Sequence, residues 1–348
     1  MANYKRHLLD MRSTIREALI QLNELAADAV VFLMNEDFVL QGALTDGDVR
    51  RGFINGLSFE NPLLDFAQRN PKFIIQGQYV LQDILELRNR GINIIPVLDE
   101  RHRIINVVNF KHKRSYLPVD ALIMAGGRGE RLRPLTDYTP KPLLTVGNKP
   151  IIEHNIDRLN LFGIDDIWIS LRYLGQQLED FFKDGSSKDI RIKYVHEIEP
   201  LGTAGALSLI NDFKHDHILL MNSDLLTNID FEDFYLFFEE NEADFVVACI
   251  PYQVNVPYAV METREKMVTG FKEKPTYTHY SNAGIYLMKR EVLNVIPKNQ
   301  EFNATDLMNI LIQTDKSVLA YPLVGYWLDI GRHEDFQKAQ QDINQIKL

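Results

Sequence analysis

The 348 residues leave room for two domains, and their make-up, 45% apolar and 25% charged, is that of an ordinary globular protein. The net charge of −10 argues against a general nucleic-acid binder, and no apolar run approaches the ~20 residues that a membrane helix needs. The charge is uneven: residues 1–117 hold 15 Lys and Arg against 14 Asp and Glu, and the remainder holds 23 against 34. Phosphate chemistry in such a chain calls for a local basic site helped by a metal. The N-terminus leads into no signal-peptide core, and the single cysteine, Cys249, lies in the apolar run 245–250. It reads as a small buried hydrophobe, with a cytoplasmic location expected.

In chain order, 13–19 opens a helix with a capping Ser or Thr and a Glu a few residues on. Strands are expected at 29–34 and 38–43, then a helix starting at Thr45-Asp46-Gly47-Asp48. The pattern partly repeats: helix 80–89, strand 94–98, turn 99–101, strand 104–109. A helix–strand–turn–strand unit used twice is an internal repeat. The tract Lys111-His112-Lys113-Arg114 reads as a solvated linker.

This half, 1–117, resembles a pair of CBS modules. The residues that carry the likeness are 37–48 in the first copy, and 93–101 with 104–108 in the second. The resemblance implies a small α+β pair that dimerises the chain and binds an adenine nucleotide, with Thr45, Asp46 and Asp48 at the ribose and phosphate. In the second copy Val108-Asn109-Phe110-Lys111 stands where the matching motif would be, so one nucleotide site at most is expected. The bland alternative is that Thr45 and Asp46 cap a helix.

From 118 to 348 strands and helices alternate: strand 121–125, helix 152–162, strand 166–171, helix 178–182, strand 190–195, helix 203–210 and strand 218–221. That order predicts an α/β fold, a Rossmann-like mostly parallel sheet with helices on both faces. Strands at 245–250, 258–261, 267–271 and 283–288 suggest an antiparallel excursion, and Phe336 and Ala339 a closing helix.

The run 122–144, LIMAGGRGERLRPLTDYTPKPLL, asks for explanation. Glycines after a buried strand let backbone N–H groups approach a phosphate. Gly126-Gly127-Arg128-Gly129 fits neither the dinucleotide fingerprint nor a Walker loop. It has fixed positive charge just past a backbone nest, which suits a triphosphate, and Pro140 and Pro142 restrain Lys141.

Taken with the later motifs, the run resembles the signature of sugar-1-phosphate nucleotidyltransferases. The likeness continues in family order through 197–205, Asn222-Ser223-Asp224, 271–275, 281–286 and 326–331. It implies that a sugar-1-phosphate oxygen attacks the α-phosphorus of a nucleoside triphosphate and pyrophosphate leaves. By this resemblance Ala125, Gly126, Gly127, Gly129, Glu197 and Gly202 bind nucleotide. Arg131, Lys141 and Asp224 are catalytic, and Asp224 and Asp329 hold Mg²⁺. Glu273, Lys274, Asn282 and Gly284 bind the sugar phosphate, with Arg128 and Arg133 accessory. Glu197 stands where thymidylyl-transferring relatives carry Gln. A carboxylate only accepts hydrogen bonds, and guanine offers adjacent donors, so GTP is favoured over UTP or dTTP. The loop 196–205 is similar to that of mannose-1-phosphate guanylyltransferases. Glucosamine-1-phosphate and mannose-1-phosphate are the expected acceptors, for surface-glycan precursors. A catalytically silent nucleotide sensor is the competing class, and it should have lost one of these charged residues.

Overall fold

A threonine before each of the first two helices sets the N-terminal architecture. Thr14 accepts from the Glu17 N–H while Glu17 reaches back to the Thr14 N–H, and this starts α1 (Ile15–Leu25). Thr45 and Asp48 do the same for α2 (Asp46–Ile54). The computed structural model, which describes residues 3–346, places around them β1 (Leu8–Asp10), β2 (Val30–Met34), β3 (Leu40–Thr45) and α3 (Leu63–Phe66). Then come β4 (Ile74–Ile75), α4 (Leu81–Asn89), β5 (Ile94–Leu98) and β6 (Ile104–Asn109).

The expected repeat is present. In each copy a strand, a helix and two further strands give one parallel and one antiparallel pairing, in the orders β1-β2-β3 and β4-β5-β6. The copies are joined by an antiparallel bridge between Val39 and Arg103, and Leu8, Phe32, Ile94, Leu98 and Ile104 share one apolar cluster. A second cluster, with Ile15, Leu22, Leu33, Leu44 and Phe66, fills the first copy.

The chain divides into two units, the first of which takes the chain to Asp120 with Leu159–Ile167 and Phe182–Ile192. Within it the expected solvated linker is partly structural. Lys113 is half-buried, its ammonium donates to the Asn160 carbonyl at 3.0 Å, and burial pushes its pKa down. In the same unit Asp165 is buried and accepts from Asn106 and from the Tyr116 hydroxyl, while Arg191 bridges Asp165 and Asp166.

The rest of the chain, most of it in the second unit, carries a seven-stranded sheet. In chain order its elements begin with β7 (Val119–Met124), the short pair β8 (Thr145–Val146) and β9 (Lys149–Pro150), and α5 (Ile151–Leu161). They continue with β10 (Asp166–Leu171), α6 (Gly175–Phe182), β11 (Arg191–His196), β12 (His217–Asn222), β13 (Leu225–Thr227) and α7 (Phe231–Glu240). Next are β14 (Phe245–Asn255), β15 (Val260–Arg264), β16 (Met267–Lys272) and β17 (Thr276–Lys289). The chain ends with α8 (Ala304–Gln313), β18 (Val318–Pro322), β19 (Trp327–Asp329) and α9 (His333–Asp342). The sheet order is β11-β10-β7-β12-β17-β14-β18. It is mostly parallel, with β17 antiparallel to both β12 and β14. β15 and β16 form the antiparallel excursion.

The strand β7 sits near the sheet's centre, which is why five of its six residues are buried and all but Asp120 are apolar. The helix expected at 203–210 is instead a short 3₁₀ turn, Gly205–Leu209. Asp230 caps α7 through the N–H groups of Glu232 and Asp233. No helix among the described residues is long and apolar enough to cross a membrane.

Gly52 in α2 has no room for a side chain, because a Cβ there would fall on the Phe66 ring. Phe53 packs edge-on against that ring at 5.3 Å. Alanine would add about 1 kcal/mol of helix propensity, and overpacking costs about 1–3 kcal/mol. Gly52→Ala is therefore expected to lower the stability of the first unit, read as an earlier unfolding transition by circular dichroism.

Candidate active site

The glycine run turns away from the end of β7, and its last glycine explains the lysine that follows. Gly129 has φ +64°, and a Cβ there would lie 3.0 Å from both the Lys141 Cβ and the Thr136 Cγ2. The Thr136 hydroxyl donates to the Gly129 carbonyl at 2.9 Å. The two ends of the 122–144 run therefore pack on each other. Lys141, buried at 9% exposure, starts a 3₁₀ turn between its prolines and donates to Asp224 Oδ2.

Around this contact lies a cavity of about 600 Å³, entirely within the second unit. Gly126, Gly127, Arg128, Gly129, Arg131 and Lys141 form one part of its lining. Arg172, Glu197, Gly202, Thr203, Asn222, Ser223, Asp224 and Gly331 complete much of the rest. Ala125 stands behind the wall: it is 1% exposed and donates its N–H to the Ser170 carbonyl at 3.0 Å.

Asp224 follows β12, at the carboxyl end of a sheet strand. Asp329 is not on that sheet. It ends β19, which pairs antiparallel with β13 so that Asp329 stands opposite Leu225, the residue after Asp224. The Ile330 N–H donates to the Asp224 carbonyl at 3.0 Å and locks the register. Each carboxylate keeps a buried Oδ1 with no hydrogen-bond partner. Burial, with the charge of Asp224, raises the Asp329 pKa, and Lys141 and Arg131 only partly offset this. Two orphaned buried carboxylate oxygens beside one another are what a cation would satisfy. Among the described residues no third His, Cys, Asp or Glu completes a protein cage. Such a pair suits an ion that fills its shell with phosphate oxygens and water.

Glu197 is 8% exposed and fixed at both oxygens. Ser170 Oγ donates to Oε1, and the Leu201 N–H donates to Oε2 at 3.0 Å. This closes the turn that ends in Gly202, whose φ is +73° and whose absent Cβ would meet Asn303 Oδ1 at 2.7 Å. Gly284, at φ +71°, lies against Asn222, since a Cβ there would be 2.6 Å from Asn222 Nδ2. Asn282 accepts the Gly284 N–H and donates to the Tyr286 hydroxyl, both at 2.8 Å. These two residues support the wall through Asn222.

The structure does not bring Glu273 and Lys274 to the cavity. They are exposed on the turn after β16. Arg133 pairs with Asp137, outside the lining. Thr45, Asp46 and Asp48 belong to the first unit, where Thr45 and Asp48 bond to each other in the capping box and Asp46 is exposed. Sequence reasoning missed Arg172 and Ser170. The usable signal was position: both stand at the carboxyl end of β10, where α/β sheets gather ligands.

Residues 120–346 match the family model described as Nucleotidyl transferase. Mannose-1-phosphate guanylyltransferase of Mycobacterium tuberculosis is 32% identical over 233 residues, 65% of this chain and 64% of that protein. Mannose-1-phosphate guanylyltransferase 1 of Arabidopsis thaliana is 35% identical over 228 residues, 62% of each chain. The match thus spans less than two thirds of these relatives' lengths. Among solved structures, a Bacillus anthracis protein assigned as a glucose-1-phosphate thymidylyltransferase, crystallised with sucrose, superposes with a TM-score of 0.54 at 26% identity. That match covers 66% of this chain and 97% of that one.

Asp329→Asn is expected to separate stability from activity. A raised native pKa means that Asp329 favours the folded state below the ordinary carboxyl range and loses that contribution as pH rises through its native value. The Asn variant should therefore gain on the parent in melting temperature as pH rises through that native value, with the gap closing as pH falls into the ordinary carboxyl range. Divalent cations are expected to raise the parent's melting temperature, and the same variant should lose that rise.

Proposed function

This chain is a member of the nucleotidyl transferase family, and we propose that it transfers a nucleoside monophosphate from a triphosphate to a sugar-1-phosphate, with GTP as the donor. The observation that carries the reading is the cavity. A glycine loop, the cations Arg128, Arg131 and Lys141, and Asp224 meet in its lining, and Asp329, set beside Asp224 by the β13–β19 pairing, adds a second orphaned oxygen. A silent sensor would have lost some of that charge.

The sugar-1-phosphate nucleophile is already an anion, so no general base is needed. One of its phosphate oxygens bonds to the α-phosphorus, the bond from that phosphorus to the bridging oxygen breaks, and pyrophosphate carries away the electron pair. The protein's task is to gather anions and hold them in line. Gly127 and Gly129 let the backbone approach the phosphates, Arg131 takes developing charge, and Lys141 is held ready between its prolines. Asp224 and Asp329 would hold a divalent ion, Mg²⁺ by its taste for carboxylates and phosphates, which neutralises phosphate charge. Glu273 and Lys274 would reach the sugar phosphate if the β15–β16 excursion folds toward the cavity once substrate is bound.

Glu197 supports guanine. A carboxylate fixed by Ser170 and Leu201 still has a free lone pair on each oxygen for two ring-edge donors. The names of the Mycobacterium and Arabidopsis relatives agree with GTP and favour mannose-1-phosphate over glucosamine-1-phosphate. The Bacillus likeness keeps dTTP as the alternative donor. The product would serve surface-glycan synthesis.

For the first unit, the doubled strand–helix–strand–strand pattern supports a CBS-type pair that self-associates and takes an adenine nucleotide at Thr45, Asp46 and Asp48. A shift in melting temperature with AMP or ATP that Asp46→Ala removes would support it, and no shift with either would retire it.

Pyrophosphate release with Mg²⁺ across GTP, ATP, UTP, CTP and dTTP and a panel of sugar-1-phosphates tests the main reading. Release with GTP is expected, and none with any pair would move the chain to the sensor class. Asp224→Asn should cut turnover on the order of 100-fold or more while the far-ultraviolet spectrum stays unchanged. Glu197→Gln should lower kcat/KM for GTP by roughly 10-fold and narrow its lead over UTP.

A further inference from the structure

Arg172 has no part in the reading so far. It follows the last residue of β10, is half-buried and lines the cavity. Among the described residues its guanidinium has no hydrogen-bond or ion-pair partner. A guanidinium that keeps no partner in a cleft is available to a ligand.

Its place in the cavity says which part of the ligand. A Cβ added to Gly126 would lie 3.2 Å from Glu197 Oε1 and 3.4 Å from the Arg172 Cβ. Gly126 thus leaves a bare floor beside a fixed acceptor and the root of an arginine whose guanidinium is unengaged. Arg131 is elsewhere: its guanidinium lies 3.4 Å from where a Gly331 Cβ would stand, two residues past Asp329. Arg131 and Arg172 therefore stand against different parts of the cavity lining.

We propose that Arg172 is a base-reading residue that donates to the O6 and N7 edge of guanine, while Glu197 accepts from the adjoining N1–H and 2-amino group. The proposal rests on the guanylyl reading above. The chemistry is complementary at each atom. Guanine presents two acceptors, O6 and N7, which match the parallel donors of an arginine fork. Its neighbouring N1–H and 2-amino groups are donors, which match a carboxylate. Adenine puts an amino donor where guanine has O6, facing a cation that cannot accept.

The test compares kcat/KM for GTP, ITP and ATP in the parent and in Arg172→Ala and Arg172→Lys. ITP keeps O6 and N7 but lacks the 2-amino group. Arg172→Ala should lower GTP and ITP by a common factor on the order of 10- to 100-fold, chiefly through KM, and shrink the preference of both over ATP. Arg172→Lys should restore only part, since an ammonium lacks the fork. Equal loss with all three triphosphates would make Arg172 a phosphate cation and overturn the proposal, and so would an unchanged GTP-over-ATP ratio. A parent enzyme that uses UTP or dTTP in place of GTP would sink the guanylyl reading before any variant is made. A parent that prefers GTP, with a preference indifferent to Arg172, would sink the proposal alone.

Discussion

Two carboxylates that repel each other are held side by side by backbone pairing, and the rest of the site is arranged around that cost. The β13–β19 register and the Ile330 N–H to Asp224 carbonyl bond fix the spacing without consulting the side chains. Each side chain is left with an oxygen that nothing in the protein satisfies. A buried polar atom without a partner costs about 1–3 kcal/mol, more when charged. Lys141 relieves part of this by bonding to Asp224 Oδ2. It could not be placed there by a flexible loop, and the packing of Gly129 on the Lys141 Cβ, with proline on either side, supplies the rigidity.

The same economy of side chains shapes the opposite end. Gly126 matters because it leaves a floor between Glu197 and Arg172. Gly202 matters because its φ of +73° and the closeness of Asn303 and Phe302 exclude any larger residue. Gly129 allows backbone and lysine to touch. One residue type thus serves three needs: a slot, a left-handed turn and a close contact.

The sequence was most legible where local pattern decides structure. The bounds of β5, β6 and β10 match the expected strands residue for residue, because each is a short apolar run stopped by polar or turn residues. The capping pairs gave the helix starts. It was least legible where distant segments decide. Leu201 to Ile210 has helical composition, yet the N–H groups of Ala204 and Gly205 bond to the Phe302 carbonyl, about a hundred residues away, and only a 3₁₀ turn forms. Nothing local to Asp329 foretells its ribbon, which depends on a pairing across the same distance. Lys113 read as solvated because its neighbours are basic, and its partner Asn160 cannot be inferred from the tract itself. Arg172 was passed over in the sequence, where its strand-end position is its one mark, and the gap over Gly126 distinguishes it in the structure.

Charge ties the composition to the chemistry. Residues 118–348 hold 23 basic against 34 acidic side chains, a poor setting for the phosphorylated substrates proposed above. The cavity departs from that average: Arg128, Arg131, Lys141 and Arg172 face Glu130, Glu197 and Asp224. Glu197 is tied to its own turn, and Asp224 is tied to Lys141. The cations Arg128, Arg131 and Arg172 are then what a triphosphate and its base would meet first. They cannot neutralise two anionic substrates alone. The orphaned oxygens of Asp224 and Asp329 mark where a bound cation would supply the remaining positive charge.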